Sequence, residues 1–195
     1  KAEGADAVAL LKSAARPMII AGGGVQYSGA GAELTAFAEG AGIPVVETIA
    51  GRANMVHDHP LNTGPLGVTG SNSANTIAEQ ADVILAVGPR LQDFTTGSRT
   101  AFAHDARLSG LHVGRHDAAK HLSTAVVGDA QLGLLALSDA LASYQTPATW
   151  TDFAKQERAK WDGYVTDNTR VGNGPASYAQ AIGEVNRLSD PRGRG

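Results

Sequence analysis

The segment DVILAVG at 82–88 is the feature of this sequence that most restricts its fold. Its five central residues are all apolar, and the run ends at Gly88. A strand with one solvent-exposed face alternates apolar and polar side chains. An unbroken run of apolar residues therefore predicts a strand that is buried on both faces of a parallel sheet. Shorter runs bounded by glycine, proline or polar residues predict further strands at 17–21, 44–48, 107–114 and 123–129.

Helical patterns separate these strands. Apolar residues recur at helical spacing over 5–15 and 130–143, and a further helix is predicted from Ala30 with Gly42 as its C-terminal cap. Ser71 or Ser73 is expected to cap a short helix that ends near residue 82. Short strands alternating with helices predict βαβ units, and therefore an α/β sheet covered by helices on both faces.

The character of the sequence changes after Tyr144. Residues 146–165 predict a helix that docks on the domain or on a neighbour, because four aromatic residues share one helical stripe: Trp150, Phe153, Trp161 and Tyr164. The segment at 168–175 is predicted as a linker, and a new helical pattern follows it. We therefore expect a piece of a longer polypeptide, divided into a domain at 1–145, a docking helix and linker at 146–174, and the start of another domain at 175–195.

Composition excludes several classes of protein. Hydrophobic residues form 43% and charged residues 18% of the 195 residues, which is typical of a soluble globular chain. The net charge is −3 and lysine and arginine form no dense stripe, so neither nucleic acid nor a membrane is an expected partner. Cysteine is absent, which excludes disulfides and thiolate chemistry and fits a cytoplasmic protein. No apolar stretch reaches the roughly 20 residues that span a bilayer.

The segment GPRLQDFTTGS at 88–98 is a candidate binding loop, because ligands of open parallel sheets bind beyond the carboxyl ends of strands. Arg90 offers a planar donor for a phosphate, Asp93 offers an acceptor, and hydroxyl donors follow at Thr95, Thr96 and Ser98. An ion pair between Arg90 and Asp93 that only holds the loop is an equal alternative.

Two glycine-rich segments are weaker candidates. The segment AGGGVQYSGAG at 21–31 lies between a strand and a helix, but Tyr27 replaces the third glycine of a dinucleotide fingerprint. Glu47 is the one acid placed to serve at the end of the next strand. A close-packed turn and a nucleotide contact are therefore equally compatible with this segment. The segment GPLGVTGS at 64–71 lacks the P-loop lysine and is either a plain connection or an anion contact.

Motifs for metal binding or covalent catalysis are incomplete. His57 and His59 flank Asp58, and His116 and His121 bracket a short segment, but no carboxylate cluster completes a metal site. No nucleophile elbow G-x-S-x-G is present, so a Ser-His-Asp triad is not predicted.

Four motifs in order carry a family resemblance: AGGG at 21–24, HPLNTGPLGVTGSNSAN at 59–75, ADVILAVGPRLQDFTTGS at 81–98 and VVGDA at 126–130. Over about residues 5–145 they resemble the central domain of thiamine-diphosphate-dependent enzymes of the acetohydroxyacid synthase group. This resemblance implies a Rossmann-like three-layer sandwich with a mostly parallel sheet of five to six strands. It also implies N- and C-terminal domains that hold thiamine diphosphate and Mg²⁺, so no catalytic or metal-binding residue is expected in this chain.

Within that group, LQDFTTGS at 91–98 and HDAAKH at 116–121 most resemble the inositol-catabolic branch, whose enzyme hydrolyses a C–C bond of a cyclic diketone. His112 and Arg115 stand where acetolactate-forming members carry acids, which favours the hydrolase over an FAD-binding acetolactate synthase. An FAD- or ADP-binding central domain is the alternative. A sirtuin-like deacetylase is a third hypothesis, and the absence of cysteine excludes its zinc-binding form.

The resemblance also implies which residues line the central groove. A homo-oligomer, dimeric or tetrameric, is implied for the parent enzyme. Asp129 is expected near an adenine position, and Arg90 with the glycine backbone is expected to carry any bound phosphate. The implied cofactor-binding residues are Gly22, Gly23, Gly24, Gly67, Thr69, Gly88, Arg90 and Asp129.

Overall fold

The computed structural model describes residues 2–172 and 174–189, so Lys1, Asn173 and the end of the segment predicted at 175–195 lie outside it. Along the described chain, each strand except the second is followed by an α-helix. The strands are β1 Pro17–Ala21, β2 Val45–Glu47, β3 Asn62–Pro65, β4 Val83–Val87, β5 Arg107–His112 and β6 Thr124–Val127. The helices are α1 Ala2–Lys12, α2 Gly23–Tyr27, α3 Gly31–Ala41, α4 Asn72–Gln80, α5 Asp93–Thr96, α6 Arg115–Ala118, α7 Ala130–Ala140, α8 Ala148–Thr169 and α9 Tyr178–Leu188.

The strands of the described chain form one six-stranded sheet in the order β3-β2-β1-β4-β5-β6. Every pairing is parallel, and β1 aligns with β4 from Pro17↔Val83 to Ala21↔Val87. The order runs in one direction from β1 to β3 and in the other from β4 to β6, so it reverses between β1 and β4. This topology confirms the α/β, Rossmann-like prediction.

Both faces of the sheet are covered, which explains the unbroken apolar runs. Ile19 and Ala21 of β1 pack in one core with α1, α3 and α7, whereas Met18 and Ile20 pack in a second core with α4 and α8. Successive side chains of a strand point to opposite faces, so a strand between two helical layers needs apolar residues at every position.

Capping residues set several helix boundaries. Gly42 follows α3 with φ 68°, and its N–H donates to carbonyls of the last turn, which confirms the predicted cap. Ser71 caps α4, since its hydroxyl accepts a hydrogen bond from the Ala74 N–H at 3.1 Å. Ser73 is not the cap because its hydroxyl donates to the buried Thr63 carbonyl at 2.7 Å. The choice between the two serines is therefore resolved in favour of Ser71.

Four elements were not predicted from the sequence: β3, α2 and the short helices α5 and α6. Strand β3, with the sequence NTGP, lies at an edge of the sheet and has no apolar run, so its strand character comes from pairing with β2. The Thr63 hydroxyl strengthens that pairing by donating to the Val45 carbonyl at 2.9 Å. Helix α2 begins inside the glycine cluster, where intrinsic propensity disfavours a helix.

Helix α8 docks on the sheet through its first three turns. Trp150 is buried and donates from Nε1 to the Pro17 carbonyl at 2.8 Å, and Phe153 stacks on the Trp150 ring. Further along, Trp161 stacks on Tyr164, which is 57% exposed. The predicted aromatic stripe therefore packs against the domain only in its first half. None of the described helices is long and apolar enough to cross a membrane.

Candidate functional site

A cleft of about 810 Å³ opens at the carboxyl ends of β1 and β4, where the strand order reverses. Ligands of open parallel sheets bind at this position. Its walls come from the loops after β1, β2, β4 and β5 and from the start of α7. The residues that line it are Gly23, Gly24, Tyr27, Ser28, Thr48, Ile49, Ala50, Gly88, Pro89, Arg90, Leu91, Gln92, Phe94, Thr95, His112, Val113 and Asp129.

Glycines at the base of the cleft allow the backbone after β1 to contact the backbone after β4. The Gly22 N–H donates to the Val87 carbonyl at 2.8 Å, and the Gly24 N–H donates to the Gly88 carbonyl at 3.0 Å. A Cβ on Gly22 would overlap the Pro89 backbone nitrogen, so no side chain fits there. Gly22 and Gly24 thus form a close-packed turn whose N–H groups are engaged by backbone, and Gly23 lies on the cleft wall.

Arg90 is the cation of the cleft. Its side chain is exposed and lines the cavity, and no ion pair joins it to Asp93 in the described part of the chain. Lys120 holds the loop instead, because its Nζ donates to the Arg90 carbonyl at 2.7 Å. Of the hydroxyls that follow, Thr95 lines the cleft, whereas Thr96 is buried and accepts a hydrogen bond from the Arg99 N–H at 3.3 Å.

Asp129 lies on the opposite wall as the N-terminal cap of α7. Its Oδ1 accepts from the Leu132 N–H at 3.1 Å, and its Oδ2 accepts from the Ser28 hydroxyl at 2.6 Å. The hydrogen bond from Ser28 and that from the Leu132 N–H lower the pKa of this carboxyl below its usual value. Asp129 is therefore a fixed anion that ties the end of α2 to the start of α7.

Gly67 and Thr69 lie outside the cleft lining. Gly67 has φ 116°, and its N–H and carbonyl both bond the Asn75 side-chain amide at 3.0 Å. The neighbouring Val68 N–H donates to the Phe94 carbonyl at 3.0 Å. The segment at 64–71 therefore supports the loop that carries Phe94, and the role of Gly67 and Thr69 in binding stays a prediction.

Glu47 occupies the end of β2 but does not line the cleft. It is buried, its Oε1 accepts from the Met55 N–H at 3.2 Å, and its Oε2 lies 3.9 Å from the Arg52 Nε. Burial raises the pKa of this carboxyl, against the opposing effects of the Met55 hydrogen bond and Arg52. Since its oxygens are directed to these partners, Glu47 is not the ribose acceptor of a dinucleotide site.

Glu47→Gln is expected to make the protein more stable than the wild type at pH 7, because the amide carries no charge that burial would desolvate. The pKa of Glu47 in the folded protein lies above its value in the unfolded chain. The cost of ionising Glu47 therefore destabilises the fold once the pH rises above the unfolded-state pKa. The advantage of the amide should therefore shrink as the pH falls and Glu47 becomes protonated. Urea unfolding of both proteins between pH 4 and 8 measures this, with the exposed Glu79→Gln as the matched control.

An apolar rim surrounds the polar groups of the cleft. Tyr27, Ile49, Phe94 and Val113 all line it, and their exposed fractions run from 49% for Phe94 to 96% for Tyr27. Sequence reasoning did not find this rim, although Tyr27 was visible as the residue that breaks the glycine pattern. The arrangement suits a flat or apolar group with an anionic substituent that reaches Arg90.

The histidine pairs have structural partners. His59 Nε2 lies 3.0 Å from Glu39 Oε1, and the His57 carbonyl accepts from Arg158 Nη2 at 2.9 Å. Within residues 2–172 and 174–189, no three His, Asp or Glu side chains come together as a metal site. His112 lines the cleft, while Arg115 forms an ion pair with Glu3 at 2.8 Å outside it.

The all-parallel sheet, with a cleft at the switch point where its strand order reverses, defines the chain as a Rossmann-like α/β domain. Residues 5–137 match the family model described as "Thiamine pyrophosphate enzyme, central domain". The match covers more than half of the chain, so the chain belongs to this family.

Curated relatives carry a more specific name, 3D-(3,5/4)-trihydroxycyclohexane-1,2-dione hydrolase. The relative from Geobacillus thermodenitrificans is 45% identical over 71% of this chain and 22% of its own length. That from Bacillus cereus strain AH820 is 38% identical over 89% of this chain and 27% of its own length. The relative from Bacillus thuringiensis is 37% identical over 97% of this chain and 34% of its own length. The chain therefore spans between about a fifth and a third of these relatives.

Proposed function

We propose that this chain is the non-catalytic central domain of a thiamine-diphosphate-dependent hydrolase that opens the ring of trihydroxycyclohexane-1,2-dione in myo-inositol catabolism. The observation that carries the proposal is the similarity to relatives bearing that hydrolase name, at 37–45% identity over most of the chain. The reaction breaks one C–C bond of the ring and adds the elements of water across it, which leaves an open-chain carboxylic acid.

The side chains of the cleft support a non-catalytic role for this domain within the parent enzyme. The polar side chains of the cleft include one exposed arginine and one carboxylate that already caps a helix. In this proposal the chemistry belongs to N- and C-terminal domains, where thiamine diphosphate supplies a stabilised carbanion and Mg²⁺ holds its diphosphate. Residues 1–145 act as the central domain, 146–174 as docking helix and linker, and 175–195 begin the next domain.

An apolar face supports the assignment of the last segment to another domain. Tyr178, Ile182, Val185 and Leu188 of α9 share one side of the helix and are all at least 66% exposed. Such a stripe suits a helix that packs against further protein. We also infer a homo-oligomeric, cytoplasmic parent, in keeping with the family resemblance.

The test is turnover by the longer polypeptide that contains residues 1–195. Purified enzyme supplied with thiamine diphosphate and Mg²⁺ should consume the cyclic diketone and release the ring-opened acid. Omission of thiamine diphosphate should abolish the reaction. Formation of acetolactate from pyruvate, without turnover of the diketone, would contradict the proposal and identify an acetolactate synthase.

The alternative is a central domain that holds FAD or ADP. The cleft volume of about 810 Å³ lies in the range of small-molecule sites, and the Arg90 side chain faces it. The engaged N–H groups of Gly22 and Gly24 count against a phosphate held by the start of α2. Any nucleotide would therefore depend on Arg90.

Heat denaturation of the full-length enzyme followed by chromatography of the supernatant distinguishes the two functions. The main proposal expects no stoichiometric nucleotide. Release of one FAD or ADP per chain, lost in Arg90→Gln but retained in the exposed control Arg170→Gln, would establish the alternative.

A further inference from the structure

We propose a second ligand site in this chain, a cationic cavity that binds a small phosphate-type anion and is separate from the switch-point cleft. The cavity has a volume of about 230 Å³ and is lined by Arg99, Arg107 and His121 together with apolar residues that include Leu10, Leu108 and Leu122. None of these residues lines the cleft that contains Arg90. The proposal is independent of the function proposed above.

The charge of the cavity is unbalanced. Within the described residues, neither Arg99 nor Arg107 forms an ion pair, and no Asp or Glu lines the cavity. Arg99 Nη2 donates to the Ala106 carbonyl at 3.4 Å, and Arg107 Nη2 donates to the Ser13 hydroxyl at 3.2 Å. A guanidinium has five N–H donors, so each anchored arginine retains donors for an oxyanion.

Both walls of the cavity carry an unusual backbone conformation. Ser98 and Arg99 have φ of 54° and 74°, and His121 and Leu122 have φ of 58° and 62°. Left-handed backbone is uncommon for residues other than glycine, and three such residues, Arg99, His121 and Leu122, line this one cavity, which is a costly arrangement. Structures retain such strain mainly where it positions side chains for binding or catalysis.

The volume of the cavity and the charge of its lining favour a small anion as the ligand. Its volume lies below the range of about 300–1,000 Å³ that drug-sized ligands occupy, so a single phosphate group fits better than a nucleotide. The wall includes the buried Leu108 beside the arginines, and charge-assisted hydrogen bonds from guanidinium groups to a phosphate are stronger than neutral ones. His121 is oriented beside them, with Nε2 at 3.4 Å from the Leu91 carbonyl, which can only accept a hydrogen bond.

The experiment is a titration of the ¹⁵N-labelled 195-residue chain with inorganic phosphate at constant ionic strength, followed by amide NMR. Saturable shifts are expected for the amides of Ser98, Arg99, Arg107, His121 and Leu122. Arg99→Gln and Arg107→Gln should each weaken binding by about tenfold, since each removes charge-assisted hydrogen bonds. Arg170→Gln is the charge-matched control and should bind as the wild type does.

Other outcomes would overturn the proposal. Phosphate also stabilises proteins through exclusion from their surface, but that effect neither saturates nor depends on Arg99. Linear shifts across the whole spectrum would therefore refute a site. Saturable shifts that disappear in Arg90→Gln and persist in Arg99→Gln would place the anion in the cleft instead. Thermal unfolding of each variant without phosphate shows whether a loss of binding reflects a loss of fold.

Discussion

Gly88→Ala is expected to lower the free energy of unfolding by about 3 kcal/mol or more and to disrupt the cleft. Gly88 has φ 70°, a conformation that costs an L-residue roughly 1–2 kcal/mol. A Cβ there would lie 2.6–2.9 Å from backbone atoms of Gly24, and such overpacking costs about 1–3 kcal/mol. Because the obstructing atoms belong to the other loop's backbone, relief requires the two loops to separate.

Denaturant unfolding measures this effect, and Gly40→Ala provides the matched control. Gly40 lies within α3, and a Cβ added there would meet no atom within 4 Å apart from its chain neighbours and the backbone of its own helix. Alanine should therefore stabilise the helix by about 0.5–1 kcal/mol. The two substitutions add the same methyl group and are predicted to have opposite signs. Equal effects would contradict the loop contact described above.

Arg158→Ala is expected to cost about 3 kcal/mol and to release α8 from the edge of the sheet. The buried guanidinium donates to the Asn62 carbonyl at 2.5 Å, to the His57 carbonyl at 2.9 Å and to Asp162 at 2.8 Å. Its removal leaves two carbonyls without that donor, and buried groups left unsatisfied cost roughly 1–3 kcal/mol each. Asn62 belongs to the edge strand β3, so the arginine also protects that edge.

The pKa of His57 distinguishes the loss of the Arg158 hydrogen bonds from a simple loss of packing. Burial, together with the charges of Arg158 and Arg52, lowers the pKa of His57. The pKa of His57 in folded Arg158→Ala should therefore rise, as NMR titration can measure. Arg170→Ala removes an exposed arginine paired with Asp167 at 3.1 Å, and its effect on stability should stay within about 0.5 kcal/mol. A similar loss in both variants would exclude a special role for Arg158.

The central strands and their helices could be predicted because their apolar runs are local signals. β4 was predicted at 82–88 and lies at Val83–Val87, and β1 lies at the predicted residues 17–21. Strand β3 could not be predicted in this way, since its stability depends on pairing with β2 and not on its own sequence. Helix α2 was missed for a similar reason, because tertiary contacts overrode the low helix propensity of glycine.

The site was predictable in position but less so in detail. A strand end at the point where the order reverses placed Gly88 and Arg90 at the cleft, and both lie there. The sequence did not show that the N–H groups of Gly22 and Gly24 bond backbone across the sheet, since those contacts link segments about 65 residues apart. The partners of Arg158 were equally hidden, as the Asn62 carbonyl lies 96 residues away along the chain.

The position of β1 between β2 and β4 has a consequence during synthesis of the chain. β1 pairs with β2 as soon as residue 47 is available, but its other edge pairs with residues 83–87. At about 5–20 residues per second, the ribosome needs roughly 3–13 s to add the 66 residues that separate Pro17 from Val83. During that interval the open edge of an apolar strand is a template for other nascent chains. Crowding of nascent chains on a polysome is therefore a condition that exposes this edge of β1 to misassembly.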